Sequence, residues 1–159
     1  MPLLKKLLLL TIVVIVYFFG IRNLRSLVHD FHLGSVLPTS SGLIDGDTSL
    51  SFYSQSSVSY TFYYNSDSSY TWVYKIPYGA FFLFSLLGLI LIDAKRVDYL
   101  ILIGIHFTSG LISFLFLLVG INFYHYLLIV PDLLSRYLVP LFSLGLVGFA
   151  YLKKDGKLG

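Results

Sequence analysis

The chain has 159 residues, of which 57% are hydrophobic and 12% are charged, and its formal net charge is +3. Soluble domains are about half apolar and about one quarter charged, so this composition indicates an integral membrane protein of one domain. Because the chain has no cysteine, disulfides, thiolate metal sites and thiol redox chemistry are excluded. The basic residues are scattered rather than clustered, which argues against a nucleic-acid partner.

The first predicted element is the apolar segment 3–21, which is long enough to cross the hydrocarbon core of a bilayer. Its end, from Tyr17 to Ile21, lacks the small-residue pattern of a cleavage site, so we predict an uncleaved signal anchor. Residues 22–48 are then predicted to lie outside the cytoplasm, first as an amphipathic helix and then as a loop rich in Pro, Gly, Ser and Asp.

Residues 49–76 show the alternation of apolar and polar residues that is typical of β-strands. A polar turn at residues 65–68 divides two strands, and an earlier run at 49–55 is a candidate third strand. Placing the two apolar rows on one face predicts an antiparallel register in which Phe62 is opposite Trp72, Tyr60 opposite Tyr74 and Val58 opposite Ile76.

Three further apolar segments follow, at residues 77–92, 99–123 and 133–152, and the last contains Pro140, which predicts a kink. The predicted fold class is therefore an all-α membrane bundle. It has four transmembrane helices and a small extracytoplasmic antiparallel β-hairpin or meander between helices 1 and 2. The charged turn at 93–98 and the outer connection at 124–132 join the remaining helices.

The distribution of basic residues predicts the orientation. With four spans, seven Lys and Arg residues lie on the side of the termini and the 93–98 turn, against four on the other side. Basic residues are retained in the cytoplasm, so both termini are predicted to be cytoplasmic and residues 22–76 extracytoplasmic.

Small residues in the spans predict close contacts between helices, because helix packing in lipid depends on close backbone approach. The predicted contact positions are Ser85, Gly88, Gly104, Thr108, Ser109, Ser113, Ser143, Gly145 and Gly148. Asp132 and Arg136 are four apart and are expected to form an ion pair.

Two groups of residues are candidates for chemistry. His106 is the ionisable side chain within the third span, where it is either a functional group or a neutral histidine bonded to a neighbouring helix. His29 and His32 share a helix face on the outer side, and with His125 and Asp132 they form a possible metal site. No cofactor is predicted, and a haem shared by His106 and an outer histidine is excluded because these residues lie at different depths.

Two functions remain open from the sequence. The first is a non-enzymatic accessory or scaffold subunit that docks other membrane proteins. Its docking surface is the helix faces and an outer aromatic row formed by Tyr60, Phe62, Tyr64, Tyr70, Trp72 and Tyr74. The alternative is a small transporter, or a quinone- or metal-handling protein, centred on His106 or the outer histidines.

The predicted layout resembles that of claudins, which have four spans, inner termini and strands between the first two helices. The paired cysteines and the Trp-containing signature of that family do not occur here. The resemblance therefore concerns architecture and implies no activity.

Overall fold

The computed structural model describes residues 2–31, 48–54, 57–65 and 68–156. In these ranges the chain is mostly helical, with three strands between the first helix and the later ones. The helices are α1 (Leu3–Val16), α2 (Arg22–Phe31), α3 (Ala80–Leu91), α4 (Arg96–Asn122), α5 (Ile129–Leu133) and α6 (Val139–Lys154), and the strands are β1 (Thr48–Ser54), β2 (Ser57–Asn65) and β3 (Ser68–Lys75).

Three helical stretches of the described chain are long and apolar enough to cross a membrane, namely Leu3–Val28, Arg96–Gly120 and Tyr126–Lys154. Helix α3 is apolar but has only 12 residues, which corresponds to about 18 Å. It begins three residues later than predicted because Pro77 and the extended Gly79 precede it.

Two single π-helical turns interrupt the long helices. Tyr17–Ile21 joins α1 to α2, and Leu134–Leu138 joins α5 to α6. The second turn lies immediately before Pro140, at which a sharp change in the helix was predicted. A proline has no N–H and its ring collides with the carbonyl one turn earlier, so one wider turn before it relieves the conflict.

The strands form an antiparallel sheet in the order β1-β2-β3. Val58 is opposite Tyr74, Tyr60 opposite Trp72 and Phe62 opposite Tyr70, so the predicted register of β2 and β3 was wrong by two residues. The ladder has an irregularity between Tyr63 and Asn65, after which Asn65 pairs with Ser68 across two intervening residues. Two-residue connections are the favoured ones, and a shift of two leaves every side chain on its predicted face.

Two clusters of buried side chains form the core of the described chain. The first joins the sheet to the helices and contains Tyr74, Ile76, Leu117 and Leu128, with Trp72, Phe114 and Leu118 packed against it. The second joins α3 to its neighbours and contains Tyr17, Phe82, Leu83, Leu89, Leu102 and Ala150. Tyr17 is the buried side chain of the first helix, and it lies in the π turn.

Three helix ends meet at Asp93, in the turn between α3 and α4. The Lys6 ammonium lies 2.7 Å from the Asp93 carboxylate and donates to the Leu91 carbonyl. The Lys154 ammonium lies 3.7 Å from the same carboxylate and donates to the Ile92 carbonyl. The start of α1, the α3–α4 turn and the end of α6 therefore lie together at one end of the bundle.

Only some of the predicted small-residue positions make close contacts. A Cβ atom on Gly88 would lie 2.9 Å from Val147, so α3 and α6 approach closely there. Ser85, Ser109, Ser113 and Ser143 are buried. Gly104, Gly145 and Gly148 have open space where a Cβ atom would lie, and Thr108 is exposed. Within this chain these four positions are not contact positions, because spacing alone does not show which face of a helix meets a neighbour.

Candidate functional site

The chain turns from strand to helix at residues 76–79, and side chains from two other helices bind the backbone at this break. The Arg25 Nη2 group donates to the Ile76 carbonyl at 3.0 Å, and the Tyr78 N–H donates to His106 Nδ1 at 3.1 Å. Neither backbone group lies within a helix or strand ladder, so each depends on a side chain for its partner. We refer to residues 76–79, with Arg25 and His106, as the corner.

The hydrogen bonds of His106 fix its tautomer. Nδ1 accepts from the Tyr78 N–H and therefore carries no proton. Nε2 lies 3.0 Å from the Ser143 hydroxyl, which donates to the Val139 carbonyl at 2.6 Å. Because the Ser143 proton is used in that bond, Nε2 must carry the hydrogen and donate to Ser143. His106 is thus a neutral imidazole with both nitrogens paired, and it is 2% exposed.

An aromatic cluster surrounds the His106 ring. The Tyr78 ring stacks on it with centroids 5.4 Å apart, and the Phe82 ring meets it edge-on at 5.1 Å. Tyr78 has a φ of 59°, a left-handed conformation that is uncommon for a bulky residue. The bond from its N–H to His106, the stacking on the His106 ring and an edge-on contact with the Phe82 ring at 5.0 Å hold it there.

The beginning of the last long helix binds the outer edge of β3. The Asp132 carboxylate accepts from the Val73 N–H at 3.1 Å, and the Ser135 hydroxyl accepts from the Lys75 N–H at 3.1 Å. Arg136 Nε lies 3.5 Å from the same Asp132 oxygen, which confirms the predicted ion pair. Two N–H groups of the strand are thereby satisfied by side chains, and the strand is attached to the helix.

A cavity of about 940 Å³ lies beside the corner, between the first helix and the other helices. Arg22, Arg25 and Lys75 line it, together with His106 and three serines, and no acidic side chain is among its described lining residues. A second, more open cavity of about 570 Å³ lies at another part of the corner and is almost entirely apolar. Arg25 and His106 line both cavities.

The structure describes two side chains of the predicted docking row, those of Trp72 and Tyr74. Tyr74 is 3% exposed and Trp72 packs against the same cluster, so these two aromatics are part of the chain's own core and are not free to dock a partner. The backbone register sets Val58 opposite Tyr74 and Tyr60 opposite Trp72. The side chains of Tyr60, Phe62, Tyr64 and Tyr70 lie outside the described residues.

The predicted metal site is not assembled among the described residues, where no group of three potential ligands occurs. Asp132 is 8% exposed, and its carboxylate binds Val73 and Arg136. His32 and the side chains of His29 and His125 lie outside the described residues. Asp132 was assigned to a metal because it was predicted to lie on the outer side, and in the described chain its carboxylate accepts from the partly buried Val73 N–H.

Sequence reasoning missed four residues that build or support the corner, namely Arg25, Tyr78, Ser135 and Gly110. Gly110 allows Pro77 to approach the helix, because a Cβ atom there would lie 2.8 Å from Pro77 Cγ. The available signal was a basic residue one turn beyond the first apolar segment and a Pro-Tyr-Gly sequence before the second.

No protein-family model, curated protein or solved structure matches the chain.

Proposed function

We propose that the chain is a non-enzymatic integral membrane accessory or scaffold subunit that presents its sheet to a partner on the outer side of the bilayer. In this proposal α3 is a short fourth span, both termini are cytoplasmic and residues 22–76 are extracytoplasmic. Lys6 and Lys154 both contact Asp93, so the start of the first helix and the end of the last one lie at the same end of the bundle. This supports placing both termini on one side of the membrane.

The short α3 helix supports a placement of the corner at membrane depth. The hydrocarbon core is about 30 Å thick, and the 12 residues of α3 cover about 18 Å of it. The strand end and residues 76–79 must then cover the remaining distance. Irregular backbone at that depth is tolerated only where protein satisfies its polar groups, and Arg25 and His106 supply the partners.

The observation that carries the proposal is the attachment of β3 and the corner to three helices. Arg25, His106, Asp132 and Ser135 each bond to a backbone group between Val73 and Tyr78. These bonds hold the sheet in one orientation over the bundle. A fixed recognition surface reduces the entropy lost on binding, which favours a docking role.

The chemistry of His106 argues against a catalytic centre. Ser143 is a hydroxyl beside an imidazole, as in a nucleophile–base pair, but the nitrogen that faces it carries the proton. A general base must present an unprotonated nitrogen to the nucleophile. Arg25 and His106 bind backbone groups of the corner, and Asp132 and Ser135 bind backbone groups of β3.

Phe62→Ala tests the docking role, with Ser59→Ala as its matched control from the same strand. Phe62 belongs to the proposed docking row, whereas Ser59 lies on the opposite face. Tagged protein is purified from native membranes after cross-linking, and co-purifying proteins are identified. Truncating a central aromatic typically costs about 2 kcal/mol or more of binding energy, so we expect the Phe62 variant to lose one specific partner that the Ser59 variant keeps. Equal recovery with both folded variants would contradict docking through this row.

Small-molecule handling at the corner is the second candidate, because Arg25 and His106 line two cavities. This class includes a small transporter and a quinone-handling protein. His106→Ala separates it from the scaffold role: lost ligand handling with intact assembly favours the second candidate, and lost assembly favours the first.

A further inference from the structure

The larger cavity beside the corner has both basic and apolar lining residues. Arg22, Arg25 and Lys75 are its cations, and Val14, Phe84 and Val139 are among its apolar residues. No acidic side chain is among the described lining residues. Its volume of about 940 Å³ lies in the range of natural ligand sites.

The depth of the basic residues matches that of lipid headgroups. Lys6 marks the inner boundary through its bond to Asp93. Arg22 and Arg25 follow it by 16 and 19 residues, a rise of about 24 to 28 Å along a helix. This is close to the thickness of the hydrocarbon core, so both guanidinium groups lie near its outer boundary.

The first helix is loosely packed against the rest of the described chain, so we expect the cavity to open towards lipid. Only 6% of its apolar window is buried within the chain, and its contacts to α3 centre on the buried Tyr17. A ligand can therefore enter sideways from the bilayer with its apolar part beside Val14 and Phe84.

We infer that this cavity binds an anionic amphiphile, with a phosphate-type headgroup on Arg22 and Lys75 and an acyl chain along the apolar wall. Guanidinium and ammonium groups are the usual partners of phosphate oxygens. Arg25 completes the positive end while it holds the Ile76 carbonyl. This inference does not depend on the docking role of the sheet.

The test measures lipid retention on the purified protein by native mass spectrometry. Dioleoylphosphatidylglycerol and dioleoylphosphatidylcholine are compared, since they have the same chains but differ in headgroup charge. We expect at least tenfold preference for the anionic lipid. The Arg22→Gln/Lys75→Gln variant should lose that preference, because it removes two cations from the cavity. Both side chains are exposed, so the variant is expected to fold.

The control is Arg96→Gln/Lys153→Gln, which removes the same charge from exposed positions at the opposite end of the bundle. It should keep the preference. Equal loss in both variants would overturn the inference and indicate attraction to overall charge. Soluble glycerol phosphate forms a further arm: if it binds alone and displaces the lipid, the site recognises a soluble anion and the amphiphile inference is wrong. Absence of headgroup preference in the unaltered protein would also overturn it.

Discussion

A single imidazole joins three segments of the chain at His106. Its Nδ1 accepts from the Tyr78 backbone and its Nε2 bonds to Ser143, so the break after β3 is tied to both α4 and α6. The sequence left open whether an ionisable residue in a span was functional or structural. The observed bonds account for the residue as a neutral structural group.

His106→Ala should lower the free energy of unfolding by about 1–3 kcal/mol, because the buried Tyr78 N–H loses its acceptor. His106→Asn should retain part of this stability, since an amide oxygen can take the position of Nδ1. Ser109→Ala is the control: its hydroxyl donates to the carbonyl of His106 in its own helix, so its loss leaves the corner intact. Unfolding of detergent-solubilised variants measures the difference, and equal loss in the alanine and asparagine variants would contradict the assigned role of Nδ1.

Asp93 should give the protein an acid-sensitive contact. The hydrogen bond from Lys6, aided by the charge of Lys154, lowers the pKa of the Asp93 carboxyl from its ordinary value of 3.8. A lowered folded-state pKa stabilises the folded protein above the unfolded pKa, and this contribution is lost as the pH falls through the folded pKa. The loss is therefore expected below pH 3.8 rather than near neutrality.

Asp93→Asn removes the titrating group and tests this expectation. Asn tolerates the left-handed backbone at this position, where φ is 52°. Thermal unfolding followed between about pH 5 and pH 2 should show a smaller acid-dependent loss in this variant. Lys6→Gln should reduce it as well, because Lys6 is the main cause of the shift. An unchanged pH profile in both variants would show that this contact does not contribute.

At the scale of elements, two glycines of α4 differ in how closely a neighbouring segment packs against them. Gly110→Ala places a Cβ atom 2.8 Å from Pro77, and the resulting displacement should cost about 1–3 kcal/mol. Gly104→Ala, six residues earlier in the helix, meets open space and should be neutral or stabilising by up to about 1 kcal/mol. The same unfolding measurement compares the two. A Gly104 variant less stable than the Gly110 variant would contradict the observed packing.

The predictable elements were those with a strong local pattern. Apolar runs predicted the long helices to within a few residues at most ends, and the alternation from Val58 to Tyr64 placed the apolar row on one face. The register depended on which residues pair across the turn, and on the irregularity between Tyr63 and Asn65. Alternation specifies neither. The start of α3 depended on Pro77 and Gly79, whose contacts are with distant segments.

The candidate site was less predictable because its residues come together only in the folded chain. Arg25 and Ile76 are 51 positions apart, and Asp132 and Val73 are 59 apart. No spacing rule connects such pairs, so Asp132 was assigned to a metal and Tyr74 to a partner. In the described chain the Asp132 carboxylate binds β3 and Tyr74 packs against the helices, while the metal site stays a prediction.

At the scale of the whole molecule, the contacts at Asp93 bear on the proposed number of membrane crossings. Lys6 begins the first helix and Lys154 ends the last one, and both lie against the same carboxylate. Two chain ends on one side require an even number of crossings. The three membrane-length helices alone would give an odd number, so α3 is expected to supply the fourth.

Single cysteines in this cysteine-free chain test that arrangement. Thr71→Cys, Val97→Cys and Lys153→Cys each place a thiol at an exposed position, and intact cells are treated with a membrane-impermeant maleimide. With four crossings and cytoplasmic termini, the cysteine at 71 is labelled from outside, and those at 97 and 153 are labelled only after permeabilisation. If α3 does not cross, the cysteines at 71, 97 and 153 are all labelled from outside. That result would contradict the four-span topology. The start of the first helix and the end of the last one would then lie on opposite sides of the membrane, although both contact Asp93.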